Sequence, residues 1–137
     1  MQARQEIKKE GQIKQFNKKE IPTEPLPLPP GFEWSTLDVE DDAQVDEVID
    51  FLENHYVEDT VGNFRLKYSK EKFRWGAATP GYIKDLHFMV RNSKNGKILA
   101  SIIGCPKKMV LCGKPINKVC EVNFLAVHAS LRDKRMA

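Results

Sequence analysis

No apolar run in this 137-residue chain approaches the ~20 residues that a membrane-spanning helix needs. The polar start Met1-Gln2-Ala3-Arg4 has none of the character of a secretory signal. Cysteine is scarce: Cys105, Cys112 and Cys120 are odd in number and hold no C-x-x-C pair, so neither a disulfide framework nor a metal site is indicated. A reducing cytoplasmic setting suits such a chain, with the three thiols expected as small apolar core residues. Both G-x-x-x-x-G-K-S/T and G-x-G-x-x-G are missing, which argues against nucleotide-triphosphate and dinucleotide binding. Basic residues vanish from Glu33 to Asp59, where eleven Asp and Glu stand without one Lys or Arg.

That gap exposes what a net charge of +3 conceals: residues 1–20, 21–32, 33–59 and 60–137 carry +3, −1, −11 and +12 in turn. An acidic block followed by a basic one bears on partners more than the near-neutral mean does. With 41% apolar residues, one folded domain with a modest core is expected.

Residues 1–31 read as a basic arm (Arg4, Lys8, Lys9, Lys14, Lys18, Lys19) and a Pro-rich connector, and residues 32–137 as the domain. Five prolines between Ile21 and Gly31 forbid helix and favour an extended connector laid along the domain surface. Phe32–Leu37 predicts a short strand. Asp41 and Asp42 suit a helix start, and Val45, Val48, Ile49 and Leu52 recur at i, i+3, i+4 and i+7 as its buried face. On the opposite face Asp46 and Asp50 form a like-charge i, i+4 pair with nothing basic near them in sequence. Tyr56–Tyr68 reads as a loop, and Ser69 as the cap of a short helix through Trp75. Leu86–Val90 and Ile98–Ile103 form a hairpin around Asn92–Gly96, and Cys112-Gly113-Lys114-Pro115 makes a second turn. The next strand alternates until Val122 and is then continuously apolar through Phe124–Val127, which predicts a central strand buried on both faces. His128 is expected as a packed side chain. Ser130–Ala137 predicts the first turn of a helix, so the chain is expected to be a truncated fragment.

This order of elements describes an α+β acyl-CoA-binding fold. A phosphate group there sits at a helix N-terminus, where free N–H groups and the helix dipole attract it. Arg132, Lys134 and Arg135 would add point charges, a solvated basic turn being the alternative.

Asn123-Phe124-Leu125-Ala126-Val127-His128, followed by Leu131-Arg132-Asp133-Lys134-Arg135-Met136-Ala137, resembles the signature of the eukaryotic N-myristoyltransferases. The resemblance continues upstream through Leu28–Trp34, Asn54–Asp59, Phe64–Ser69 and Trp75 with Pro80-Gly81, covering roughly residues 25–137. It implies a GNAT-like fold, a mixed and mainly antiparallel sheet with flanking helices, here truncated. It also implies transfer of a tetradecanoyl group from myristoyl-CoA, as co-substrate, to the N-terminal glycine amine of peptides and nascent proteins.

By the same resemblance, the backbone amides of Phe124 and Leu125 form an oxyanion hole, apt because negative charge develops on the thioester oxygen. Ala126 and Val127 line the acyl-CoA site. Asp133, Arg135, Met136 and Ala137, with Arg132 and Lys134 beside them, hold the CoA phosphates, and Gln15-Phe16 matches part of a segment that folds over CoA. Tyr56, Val57, Asp59, Phe64, Leu66 and Tyr68 line the peptide groove. The departures are Asp133 for Ser, which brings a carboxylate to the phosphates, Asn17 for Trp, Ala126 for Cys and Leu66 for Phe. The family base is the carboxylate that ends chains about three times longer, a position Ala137 does not match. Two rival classes are an acyl-CoA-binding partial protein without catalysis and an RNA-associating module that uses the basic arm on ribosomes.

Overall fold

The computed structural model describes residues 17–58 and 61–134. Of the residues singled out above, Arg4, Lys8, Lys9, Lys14, Gln15, Phe16, Asp59, Arg135, Met136 and Ala137 lie outside the described residues.

Strand β1 (Phe32–Thr36) leads into helix α1 (Asp42–His55) and helix α2 (Lys70–Ala77), followed by β2 (His87–Asn92), β3 (Ile98–Leu111) and β4 (Lys114–Val127). The strands form one antiparallel sheet in the order β1-β2-β3-β4. Each helix starts where its sequence dictates. The Asp41 carboxylate accepts from the N–H groups of Ala43 (2.9 Å) and Gln44 (3.2 Å). Ser69 Oγ accepts from the N–H of Lys72 at 3.2 Å. Such caps satisfy N–H groups that the first helical turn leaves without partners. Val45, Val48, Ile49 and Leu52 are buried as their spacing requires, joined by Phe51. They meet Phe73 and Ala77 of α2 and Met89, Ile103, Cys105, Phe124 and Ala126 of the sheet in one core. A two-residue turn at Cys112-Gly113, both at positive φ (50° and 75°), closes the β3–β4 hairpin with the twist of the flanking strands.

Four expectations are corrected. Strand β4 is the edge of the sheet among the described residues, not its centre, and Leu125 is 50% exposed. Its unbroken apolar run has another origin: both sheet faces are apolar there, one packed on the helices and the other carrying Trp34, Phe88 and Ile102. The residues after His128 form a 3-10 turn (Ala129–Leu131), and Asp133 takes a left-handed φ of 64°, so no α-helix begins after β4 within the described residues. Only Cys105 is buried, because Cys112 occupies the hairpin tip and Cys120 an exposed stretch of β4. Asp46 does have a basic neighbour, Lys70 Nζ at 2.8 Å, delivered by the fold rather than by sequence.

That last pair belongs to a pattern. Of the seven ion pairs among the described residues, six join the acidic block to the basic part of the chain: Lys84–Asp38, Arg74–Asp42, Lys70–Asp46, Arg91–Glu47, Lys67–Glu53 and Arg132–Glu58. Arg91 is the most embedded. It holds both Glu47 carboxylate oxygens (2.7 and 2.8 Å), the Gly96 carbonyl (2.7 Å) and Ser35 Oγ (3.2 Å).

Candidate functional site

The strongest local irregularity lies in β4. Ser101 pairs with Ala126 and Ile103 with Asn123, so Phe124 and Leu125 together face Ile102 without partners in the ladder. Phe124 takes a φ of 51°, a left-handed conformation that a bulky L-residue adopts only under constraint. Two constraints are visible. The buried Ser101 hydroxyl of β3 donates to the Phe124 carbonyl at 2.8 Å. The Phe124 ring is packed among Phe73, Tyr68 and Tyr56, with centroids 5.1, 5.5 and 6.1 Å away. Gly76 makes room for this ring: a Cβ there would lie 3.4 Å from Phe124 Cζ.

The bulge sorts the neighbouring side chains. Phe124 and Ala126 are buried on the helix side, whereas Leu125 and Val127 line an apolar hollow of about 180 Å³ on the opposite face, beside Trp34, Phe88 and Ile102. The Pro-rich connector runs along the same face, where Trp34 Nε1 donates to the Leu26 carbonyl at 3.0 Å. Asn123, on the other side of the bulge, lines a larger hollow of about 980 Å³ between the end of α2 and the β3–β4 hairpin. Asn123 and the pair Leu125 and Val127 therefore line two separate hollows from one strand, with the bulge between them.

Tyr56 and Tyr68 are brought together at Phe124, but the rest of the expected peptide-lining set stands farther out. A bridge between Glu58 and Arg65, reinforced by the Leu66 N–H donating to the Val57 carbonyl at 3.2 Å, holds these two segments side by side. Val57, Phe64 and Leu66 are exposed on it.

Arg132 turns back onto the protein. Its guanidinium pairs with Glu58 Oε1 at 3.0 Å and donates to the carbonyls of His55 (2.7 Å) and Val127 (3.4 Å). It thereby ties the end of α1, the bridge and the turn after β4 together. Asp133 and Lys134 are exposed in that turn.

Sequence reading missed three participants. Ser101 looks like any small strand residue, and only the bulge reveals its task. His55 stacks on the half-buried His128 at 4.0 Å between ring centroids, and its Nδ1 accepts from the Ala129 N–H at 3.4 Å. Burial lowers the His55 pKa, His128, Arg132 and Arg65 lower it further, and Glu58 opposes them. His87, at the start of β2, is fully buried against Tyr82, and its ring nitrogens meet the backbone of Ala77 and Gly104 without good hydrogen-bond geometry. Burial pushes its pKa below the ordinary histidine range, and the backbone of Ala77 and Gly104 opposes this only in part.

Residues 12–137 match the family described as myristoyl-CoA:protein N-myristoyltransferase, N-terminal domain. A glycylpeptide N-tetradecanoyltransferase of Ajellomyces capsulatus is 46% identical over 93% of this chain and 24% of its own length. That of Candida albicans is 44% identical over 96% of this chain and 30% of its own. A crystal structure of Saccharomyces cerevisiae N-myristoyltransferase with bound myristoyl-CoA and inhibitors superposes with a TM-score of 0.86 at 38% identity, covering 96% of this chain and 30% of that one. The chain thus spans 24–30% of the length of these curated relatives.

Proposed function

Given that the chain belongs to the N-myristoyltransferase family, we propose that it supplies the acyl-CoA-binding and oxyanion-stabilising part of an enzyme that transfers a tetradecanoyl group from CoA to an N-terminal glycine. The observation that carries this reading is the bulge at Phe124-Leu125, where two residues face Ile102 and the Phe124 carbonyl accepts from Ser101. In the reaction the neutral glycine amine attacks the thioester carbonyl, and its carbon–oxygen double bond opens to an oxyanion. The N–H groups of Phe124 and Leu125 stabilise that charge. The oxyanion then collapses, the carbon–sulfur bond breaks, and the departing CoA thiolate takes up the extra proton of the new amide nitrogen. Preset main-chain donors are effective because they need no reorganisation as charge develops, and losing one costs about 3 kcal/mol.

Val127 and Ala126 are assigned to the acyl-CoA side. The CoA phosphates are assigned to Arg132, Asp133, Lys134, Arg135, Met136 and Ala137, with Gln15 and Phe16 closing over them. Tyr56, Val57, Asp59, Phe64, Leu66 and Tyr68 are assigned to the glycine peptide. No side chain here is assigned the deprotonation of the glycine ammonium. Residues 1–31 are assigned as arm and connector and 32–137 as the acyltransferase domain, acting in the cytoplasm, with the arm on ribosomal RNA.

Calorimetry of the chain with myristoyl-CoA, followed by an assay of transfer to a glycine-starting peptide, tests the reading. Binding of myristoyl-CoA over free tetradecanoate is expected. Binding without transfer would support an acyl-CoA-binding role alone, and failure to bind would defeat the assignment. For the arm, salt-sensitive RNA retention should disappear when residues 1–19 are deleted.

A further inference from the structure

The β3–β4 hairpin runs well past the sheet. Every residue from Lys107 to Lys118 is exposed, and the ribbon reaches roughly 15 Å beyond the domain at the usual rise per strand residue. Its tip is apolar: Val110 is 69% exposed and Leu111 54%, with Met109 and Ile116 paired beside them. Its remaining charge is of one sign. No Asp or Glu stands between Asp85 and Glu121. Lys107 is neutralised by Glu121 at 3.3 Å, but Lys108, Lys114 and Lys118 enter no ion pair among the described residues.

We infer that this ribbon docks on an anionic lipid surface, its Val110–Leu111 tip entering the headgroup boundary while the three lysines meet lipid phosphates and carboxylates. The chemistry separates this partner from the others. A protein interface that buried the tip would have to desolvate or pair three ammonium groups lying beside it, whereas at a bilayer they stay hydrated and lie along the headgroups. Nucleic acid would be met with aromatic or arginine planes for stacking, and between Asn92 and Asn123 there is no Phe, Tyr, Trp or Arg. Apolar side chains flanked by lysine are the composition that interfacial segments use, inserting about 5–10 Å. The inference is independent of acyl transfer, since it rests on the ribbon alone.

Co-sedimentation of the full chain with phosphatidylcholine vesicles containing 30% phosphatidylserine provides the test. Binding is expected to these and to fall steeply on pure phosphatidylcholine and at high salt. Replacing Lys108, Lys114 and Lys118 together by Gln should lower partitioning about a hundredfold, near fivefold for each lysine. Val110→Glu with Leu111→Glu should lower it at least about tenfold. Because the arm is also basic, every comparison keeps residues 1–31 intact, and far-UV circular dichroism confirms that each variant is folded. An environment-sensitive fluorophore on Cys112, in a Cys120→Ser background, should shift to the blue with anionic vesicles. Unchanged partitioning of both variants, an unshifted fluorophore, or retention on RNA but not on vesicles would each overturn the inference.

Discussion

Ser101 shows how one hydroxyl can decide a local backbone. Phe124 sits at a φ of 51°, a conformation costing on the order of 1–3 kcal/mol, and its carbonyl finds its donor in Ser101 Oγ at 2.8 Å. Ser101→Ala would leave that buried acceptor without a partner, and a stability loss of about 1–3 kcal/mol is expected, measured as a lower urea midpoint. An unchanged midpoint would mean that the bulge is held by ring packing alone. His87 makes the opposite case, since its ring is buried and its nitrogens find no well-formed hydrogen bond. Its folded pKa is lowered, so as pH falls below the ordinary value of 6.5 the unfolded chain binds the proton first and stability drops. His87→Met should therefore raise stability more at pH 5.5 than at pH 8, with His55 contributing the residual slope in the same direction. Parallel pH profiles for variant and parent would contradict this.

At the scale of elements, α2 has only eight residues, too few to be stable alone, and its neighbours hold it. Arg74 is central: Nε donates to the Val39 carbonyl at 2.7 Å while Nη2 reaches Asp42 at 2.6 Å. Arg74→Ala is expected to cost about 2 kcal/mol, chiefly through the partly buried Val39 carbonyl. Arg74→Lys should recover less than half of that, because an ammonium cannot span both acceptors in the fixed fork of a guanidinium. Thermal unfolding of the two variants checks the ratio. The helices themselves were legible in sequence, since Asp41 and Ser69 advertise their caps and Val45 to Leu52 carry the period. The turns at Asn95-Gly96 and Cys112-Gly113 were equally plain. The edge position of β4 was not, because a strand buried twice and a strand with two apolar faces read alike. Nor was the bulge, which depends on Ser101 arriving from another strand. Signature residues of the site could be named by resemblance, yet Arg132 spends its guanidinium on Glu58 and two carbonyls, partners that no local spacing reveals.

For the whole molecule, the division of charge serves first to join the chain to itself. Six ion pairs connect the acidic block to the basic residues that follow it, while Lys108, Lys114 and Lys118 of the hairpin are among the cations that enter no ion pair within the described residues. Exposed pairs contribute little singly and more as a set. Arg74 lowers the pKa of Asp42, Lys84 that of Asp38, and the Gln44 side-chain amide, followed by the cap N–H groups, that of Asp41. Groups so lowered stabilise the fold above the ordinary aspartate value of 3.8, and that contribution is lost as pH falls through their folded values. Acid unfolding should accordingly steepen below about pH 4 and begin at higher pH in 1 M salt, where exposed pairs are screened. A transition indifferent to salt would assign acid sensitivity to the histidines alone.

The Cys112-Gly113 turn also sets an order of events in time. It joins Leu111 to Lys114 directly, so β3 and β4 can zip from neighbouring residues on the microsecond scale of hairpin formation. Strand β1 is different, since Phe32 finds Asn92 only after both helices have been threaded between them. The hairpin is thus the natural nucleus and β1 the last strand to join, which makes the entropy of that long closure the barrier to folding. Gly113→Val should slow refolding with little change in the unfolding rate, and Trp34→Ala should do the reverse. Stopped-flow kinetics in urea would reveal an inverted order if the first variant accelerated only unfolding.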